Sequence, residues 1–168
     1  MRGFTLLETT VAISILTVGI LGPLSVATYA LSRSSISENQ IIAYNLAEEG
    51  LEFIINKRDS NVFAGNNWLQ GIGGGSNCAS GNGCTIDVIA NTINNNCGGG
   101  CPVMRFDSNG KYNYSSGANS IFTREIYLRD VPGNPNPDEK ILEVRVTWDE
   151  RIPPQRKVII FHHIYDRE

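Results

Sequence analysis

The chain has 168 residues, with 14 Lys and Arg against 17 Asp and Glu for a formal charge of −3, and four cysteines. That length accommodates one anchor and one small head, and a mildly acidic balance without any basic run excludes a surface built for nucleic acid. No nucleophile motif, no H-E-x-x-H and no paired carboxylates occur, so neither an enzyme nor a cofactor is expected.

The first element is an apolar run. Between the charges of Glu8 and Arg33, the 24 positions from Thr9 to Ser32 carry no charged side chain. As a helix they reach about 36 Å, enough for a hydrocarbon core of about 30 Å. A secretory signal has a shorter core of roughly 7–15 residues and a small-residue cleavage site after it. Here the small residue, Gly3, comes before the run. Arg2 on the short side places residues 1–3 in the cytoplasm and the polar remainder outside.

The stretch Gly3-Phe4-Thr5-Leu6-Leu7-Glu8 resembles the processing motif of type IV prepilins and pseudopilins, and the continuation "SILTVGILG" looks like the branch holding PilV-like minor pilins and minor pseudopilins. The resemblance implies a membrane peptidase and methyltransferase that cuts between Gly3 and Phe4 and methylates the new amine of Phe4. It also implies that Glu8, fifth in the mature chain, directs assembly. A carboxylate at the bilayer centre costs about 2.5–3.5 kcal/mol. An α-amino group with an ordinary pKa of about 7.7–8.0 is cationic at neutral pH, so Glu8 of one subunit can meet the Phe4 amine of its neighbour. The plainer account is that Glu8 only complements the positive end of its own helix, worth about 0.3–1 kcal/mol.

Helical periodicity continues past the span. Ile36, Ala43, Leu46, Ala47, Gly50, Leu51 and Ile54 recur at three- and four-residue spacing, which predicts one helix from about Phe4 to about Lys57. Gly19, Gly22 and Pro23 are the expected hinge, because Pro23 cannot donate a backbone hydrogen bond; the alternative is that the glycines are tolerated for packing. From Asp59 to Asn82 the composition turns to Gly, Asn and Ser, which reads as loop. Trp68 and Leu69 are expected to plug it onto the sheet. No Lys-Ser/Thr pair follows the glycines, so a phosphate cradle is not indicated.

The second half reads as antiparallel strands. "VMRFDSNGKYNY" turns at Asn109-Gly110 as a hairpin, and "IFTREIYLR", "ILEVRVTWD" and "KVIIFHHIY" follow. In the second of these three runs, Leu142, Val144, Val146 and Trp148 form an apolar face, with Glu143, Arg145, Thr147 and Asp149 expected on a wet one. The proline-rich connectors "DVPGNPNPDEK" and "ERIPPQR" stop strands. The fold class is therefore α+β, a long helix packed on an antiparallel sheet head, which agrees with the pilin-like fold that the resemblance implies.

Cys78, Cys84, Cys97 and Cys101 fall in the exported region and are read as disulfides rather than a zinc site. The sequential pairing and the nested one both remain open. "DSNGKY" from Asp107 lacks a closing glutamate and is a turn rather than a calcium loop, and no metal is expected. His162 and His163 alternate faces and cannot act as a pair. Asn113-Tyr114-Ser115 spells an N-glycosylation acceptor.

The organisation expected is a leader over 1–3, a transmembrane and filament-core helix over 4–32, an amphipathic half over 33–58 and a β-rich head over 59–168. The function expected from the resemblance is that of a structural subunit, a minor pilin of a surface filament. A pseudopilin of a type II secretion or DNA-uptake apparatus is the alternative, followed by an uncleaved single-pass protein with a ligand-binding head. Its partners would be other pilin subunits, the prepilin peptidase, an inner-membrane assembly platform and membrane lipid.

Overall fold

The computed structural model describes residues 5–73, 78–79, 81–94, 97–133, 138–149 and 155–166. The chain is α+β: among the described residues one helix, α1 (Leu6–Phe63), precedes eight strands. It divides into two compact units between Asn39 and Gln40. In the first unit α1 is alone, and every described residue from Thr5 to Ser35 is exposed.

The second unit begins inside α1, at Gln40. Ala43, Leu46, Ala47, Gly50 and Ile54 are its buried stripe, as their spacing predicts. Strands β6 (Phe122–Asp130), β7 (Glu139–Trp148) and β8 (Arg156–Tyr165) form an antiparallel sheet in the order β6-β7-β8. Its inner face carries Phe122, Ile126, Leu128, Leu142, Val144, Val146 and Trp148, all buried with the α1 stripe in one apolar cluster. The helix approaches the sheet closely at Gly50, where a Cβ would lie 3.1 Å from Val144 Cγ1 and 3.2 Å from Arg124 Cδ.

The helix outlasts its expected end at Lys57 by more than a turn. Tertiary bonds extend it: Arg58 Nη1 donates to the Tyr165 carbonyl at 3.0 Å, and Asn61 Nδ2 donates to the carbonyls of Trp68 and Gln70. It then stops in a Schellman motif. Gly65 has φ +69°, its N–H bonds the Val62 carbonyl and the Asn66 N–H bonds the Asn61 carbonyl, the pattern that a left-handed residue after a helix permits. Trp68 is buried in the core, so the expected plug forms there, with Leu69 packed at its margin.

Smaller strands flank the main sheet. The hairpin β1 (Thr85–Asp87) and β2 (Thr92–Asn94) was not expected from sequence. Strand β3 (Arg105–Phe106) pairs with β4 (Tyr112–Asn113), the hairpin expected at Asn109-Gly110, and on its other side with β5 (Ala118–Asn119). Residues 134–137 and 150–154 of the proline-rich connectors lie outside the described residues.

One expectation for β7 is corrected. Glu143 belongs to the outer face but is buried at 5% exposure, because Arg129 Nε lies 2.8 Å from one of its oxygens and Arg145 Nη2 lies 2.7 Å from the other. Arg145 also reaches Glu125 at 3.4 Å, and Arg129 and Arg145 both stand over the Tyr127 ring. The outer face is therefore roofed by paired charges, not wet throughout.

Candidate assembly surface on the N-terminal helix

Leu6, Leu7, Ile15, Val18, Val26 and Leu31 are all more than 65% exposed on α1. This helix is long and apolar enough to cross a membrane. Its polar side chains are reconciled with such a medium by the backbone. Thr9, Thr10, Ser14, Thr17, Ser25 and Thr28 each donate their hydroxyl to a carbonyl three or four residues earlier, at 2.8–2.9 Å. No hydroxyl from Thr9 to Thr28 is left needing water, which hydrocarbon could not supply. At the far end Arg33 Nε donates to Tyr29 Oη at 2.9 Å and its guanidinium lies over the ring, the amphipathic pairing suited to a membrane–water boundary.

Glu8 sits in the first turn of α1. Its N–H bonds the Thr5 carbonyl at 3.0 Å and the Thr5 hydroxyl at 3.3 Å. Thr5 is thus the N-cap, and Thr5-Leu6-Leu7-Glu8 has the T-x-x-E spacing of a capping box, of which the structure shows the bond from the Glu8 N–H to the Thr5 hydroxyl. Sequence reasoning missed that local role, although the T-x-x-E spacing was present to signal it. Gly3 and Phe4 lie outside the described residues.

The hinge expected at Gly19, Gly22 and Pro23 is helical throughout, so no unwound segment occurs there. A helix can carry one proline by losing a single bond, here the one to the Gly19 carbonyl four residues earlier. Among the described residues a Cβ at Gly19 or Gly22 would meet nothing within 4 Å, so neither glycine is demanded by packing against them.

In the second unit the cysteines pair sequentially, Cys78 with Cys84 and Cys97 with Cys101. The nested alternative does not occur. The first bridge is fixed to the sheet: Cys84 exchanges both backbone hydrogen bonds with Ile126 at 2.9 Å, and Leu128 N–H donates to the Cys78 carbonyl. Among the described residues no group of three or more His, Cys, Asp or Glu side chains could hold a metal.

Asp107 spends its carboxylate on its own turn, accepting from the N–H groups of Asn109 and Lys111 at 2.9 Å. The bond from the Lys111 N–H chiefly holds its pKa below the ordinary carboxylate value, against the opposing effect of desolvation. Asn113 is buried at 2% exposure, and its side-chain oxygen accepts from the N–H groups of Ser115 and Ser116. The folded head therefore withholds it from glycosylation. His162 and His163 take opposite faces of β8, with His163 Nδ1 2.7 Å from Glu139.

Sequence reasoning also passed over Arg124, which occupies an inward register of β6. Its guanidinium donates to the carbonyls of Leu46 and Ile86 and to Glu49. Tyr114 packs beside it, its hydroxyl pushed up to about 12 by burial against the opposing pull of Arg124. A charge between Phe122 and Ile126 in an alternating strand was the available signal. No family model, curated protein or solved structure matches this chain.

Proposed function

We propose that this chain is a type IV pilin-like structural subunit, a minor pilin, cut between Gly3 and Phe4, methylated at Phe4 and built into a filament through its apolar helix. One observation carries the reading: a glutamate, Glu8, stands at the start of an exposed helix whose next 24 positions are uncharged. Such a carboxylate is costly in lipid and is offset by the cationic amine of a neighbouring subunit once bundled helices exclude lipid. The saturated hydroxyls of the span and the disulfide-bonded head support a chain anchored in the membrane with its head in an oxidising compartment.

The capping box makes a sharp test possible, because glutamine can replace glutamate in that motif but carries no charge. Glu8→Gln and Glu8→Leu should both remain membrane-inserted, and both should fall severalfold in sheared filaments relative to the unsubstituted chain. Full incorporation of Glu8→Gln with loss only for Glu8→Leu would make Glu8 a helix cap and nothing more.

A further inference from the structure

The two edges of the main sheet are finished differently. On the outer edge of β6, Phe122, Ile126 and Leu128 bond backbone groups of Met104, Cys84 and Cys78. That edge is closed. At the other edge, Asp166 N–H donates to the Asp138 carbonyl at 2.8 Å in continuation of the β7–β8 register. In an antiparallel pair such bonded positions alternate. The even-numbered residues of β8 therefore bond β7, and Lys157, Ile159, Phe161 and His163 turn their backbone N–H and C=O groups outward.

Among the described residues no strand pairs with this side of β8, and an open edge of this length is a template for another strand. The same odd-numbered residues form a partly apolar row on the outer face, where Phe161 is 62% and Tyr165 46% exposed. The ends of β8 carry opposite signs, Arg156 and Lys157 at the start and Asp166 just past the finish. Laid antiparallel on a copy of itself about Phe161, the strand brings Phe161 opposite Phe161, Ile159 opposite His163 and Arg156 opposite Asp166. Ile159, Phe161 and His163 then meet outward bonding positions of the copy, Lys157 meets Tyr165, whose carbonyl also accepts from Arg58, and the positive Arg156 stands opposite the negative Asp166. A parallel arrangement would instead set Lys157 beside Lys157.

The geometry points to β8 as an edge that joins the heads of two copies of this chain into one antiparallel sheet. Such an interface is isologous and closes at two subunits, so it does not supply the repeat of a filament. It stands whether or not the apolar helix assembles one.

The test is cysteine cross-linking of the full chain in membranes. Facing residues in a bonded antiparallel pair have Cα atoms about 5.5 Å apart, inside the roughly 4.4–6.8 Å that a disulfide spans. Phe161→Cys should give a disulfide-linked dimer under mild oxidation, at an exposed position whose loss leaves the core intact. Lys157→Cys should give none, because in this register it lies eight residues along the strand from its own copy, roughly 27 Å. Adding Asp166→Arg to Phe161→Cys should lower the dimer yield several-fold. Monomer from Phe161→Cys, equal cross-linking from Lys157→Cys, or a yield indifferent to Asp166→Arg would each overturn the pairing.

Discussion

Arg124 Nη1 lies 2.7 Å from Glu49 Oε2 and 3.0 Å from the Leu46 carbonyl, so one guanidinium on the sheet grips the helix by side chain and backbone together. The Arg124 side chain is 1% exposed while that of Glu49 is 40% exposed. Truncating Arg124 opens a cavity and takes a donor from the carbonyls of Leu46 and Ile86, about 2–5 kcal/mol for a large core side chain cut to alanine, whereas an apolar side chain of similar volume is often tolerated. Arg124→Ala should lose stability in that range in chemical denaturation of the full chain in detergent. Arg124→Met should lose clearly less. Equal losses would mean that the bonds of the guanidinium, and not the volume it fills, decide stability at this position.

Gly50 permits that grip by bringing the helix close to the sheet. Alanine is the better helix former by about 1 kcal/mol, yet its Cβ would crowd Val144 and Arg124, and overpacking costs about 1–3 kcal/mol. Gly50→Ala should therefore destabilise the head. Gly19→Ala, where a Cβ meets nothing, should not. A stabilised Gly50→Ala in the same denaturation series would show that helix and sheet can part at no cost.

The elements legible in the sequence were those with a long period or a clean alternation. The helix declared itself through Ala43, Leu46, Ala47, Gly50 and Ile54, and β7 through Leu142 to Trp148, because one face of each meets the core. What escaped depends on tertiary partners or on elements too short to show a period. The helix end at Phe63 is held by Trp68, Gln70 and Tyr165, the short hairpin β1–β2 has only three residues per strand, and Glu143 is buried by arginines on two strands. At the N-terminus the span and Glu8 were readable from charge alone. The capping role of Thr5 was spelled locally but overshadowed by the larger pattern.

Glu143 gives the head an acid limit. Burial pushes its carboxyl pKa up, but the hydrogen bonds and charges of Arg129 and Arg145 outweigh this and hold it below its ordinary value of 4.5. A group with a depressed folded pKa contributes stability that is present above the ordinary value and lost as pH falls through the folded one. Unfolding midpoints should thus decline below about pH 4.5, and Glu143→Gln should flatten that decline. An unchanged acid slope in the variant would assign it to other carboxylates.

The disulfides close short loops, with sequence separations of 6 and 4, each worth about 2 kcal/mol in the chain-entropy model. Because the first is bonded to the closed edge of β6, reduction should raise hydrogen exchange at the Ile126 and Leu128 amides along with the segment 78–101. The amides of Val144 and Val146, in the central strand, should stay protected. Uniform loss of protection across all three strands would make the bridges essential to the whole head.

The most direct measurement is the mass of the native N-terminus, read from peptides of the protein isolated from its own membrane or filaments. The account predicts a chain that lacks Met1, Arg2 and Gly3 and begins at Phe4 with one methyl group on its amine. A native chain that still begins at Met1 would contradict it, since Glu8 would then have no neighbouring amine at Phe4 to meet.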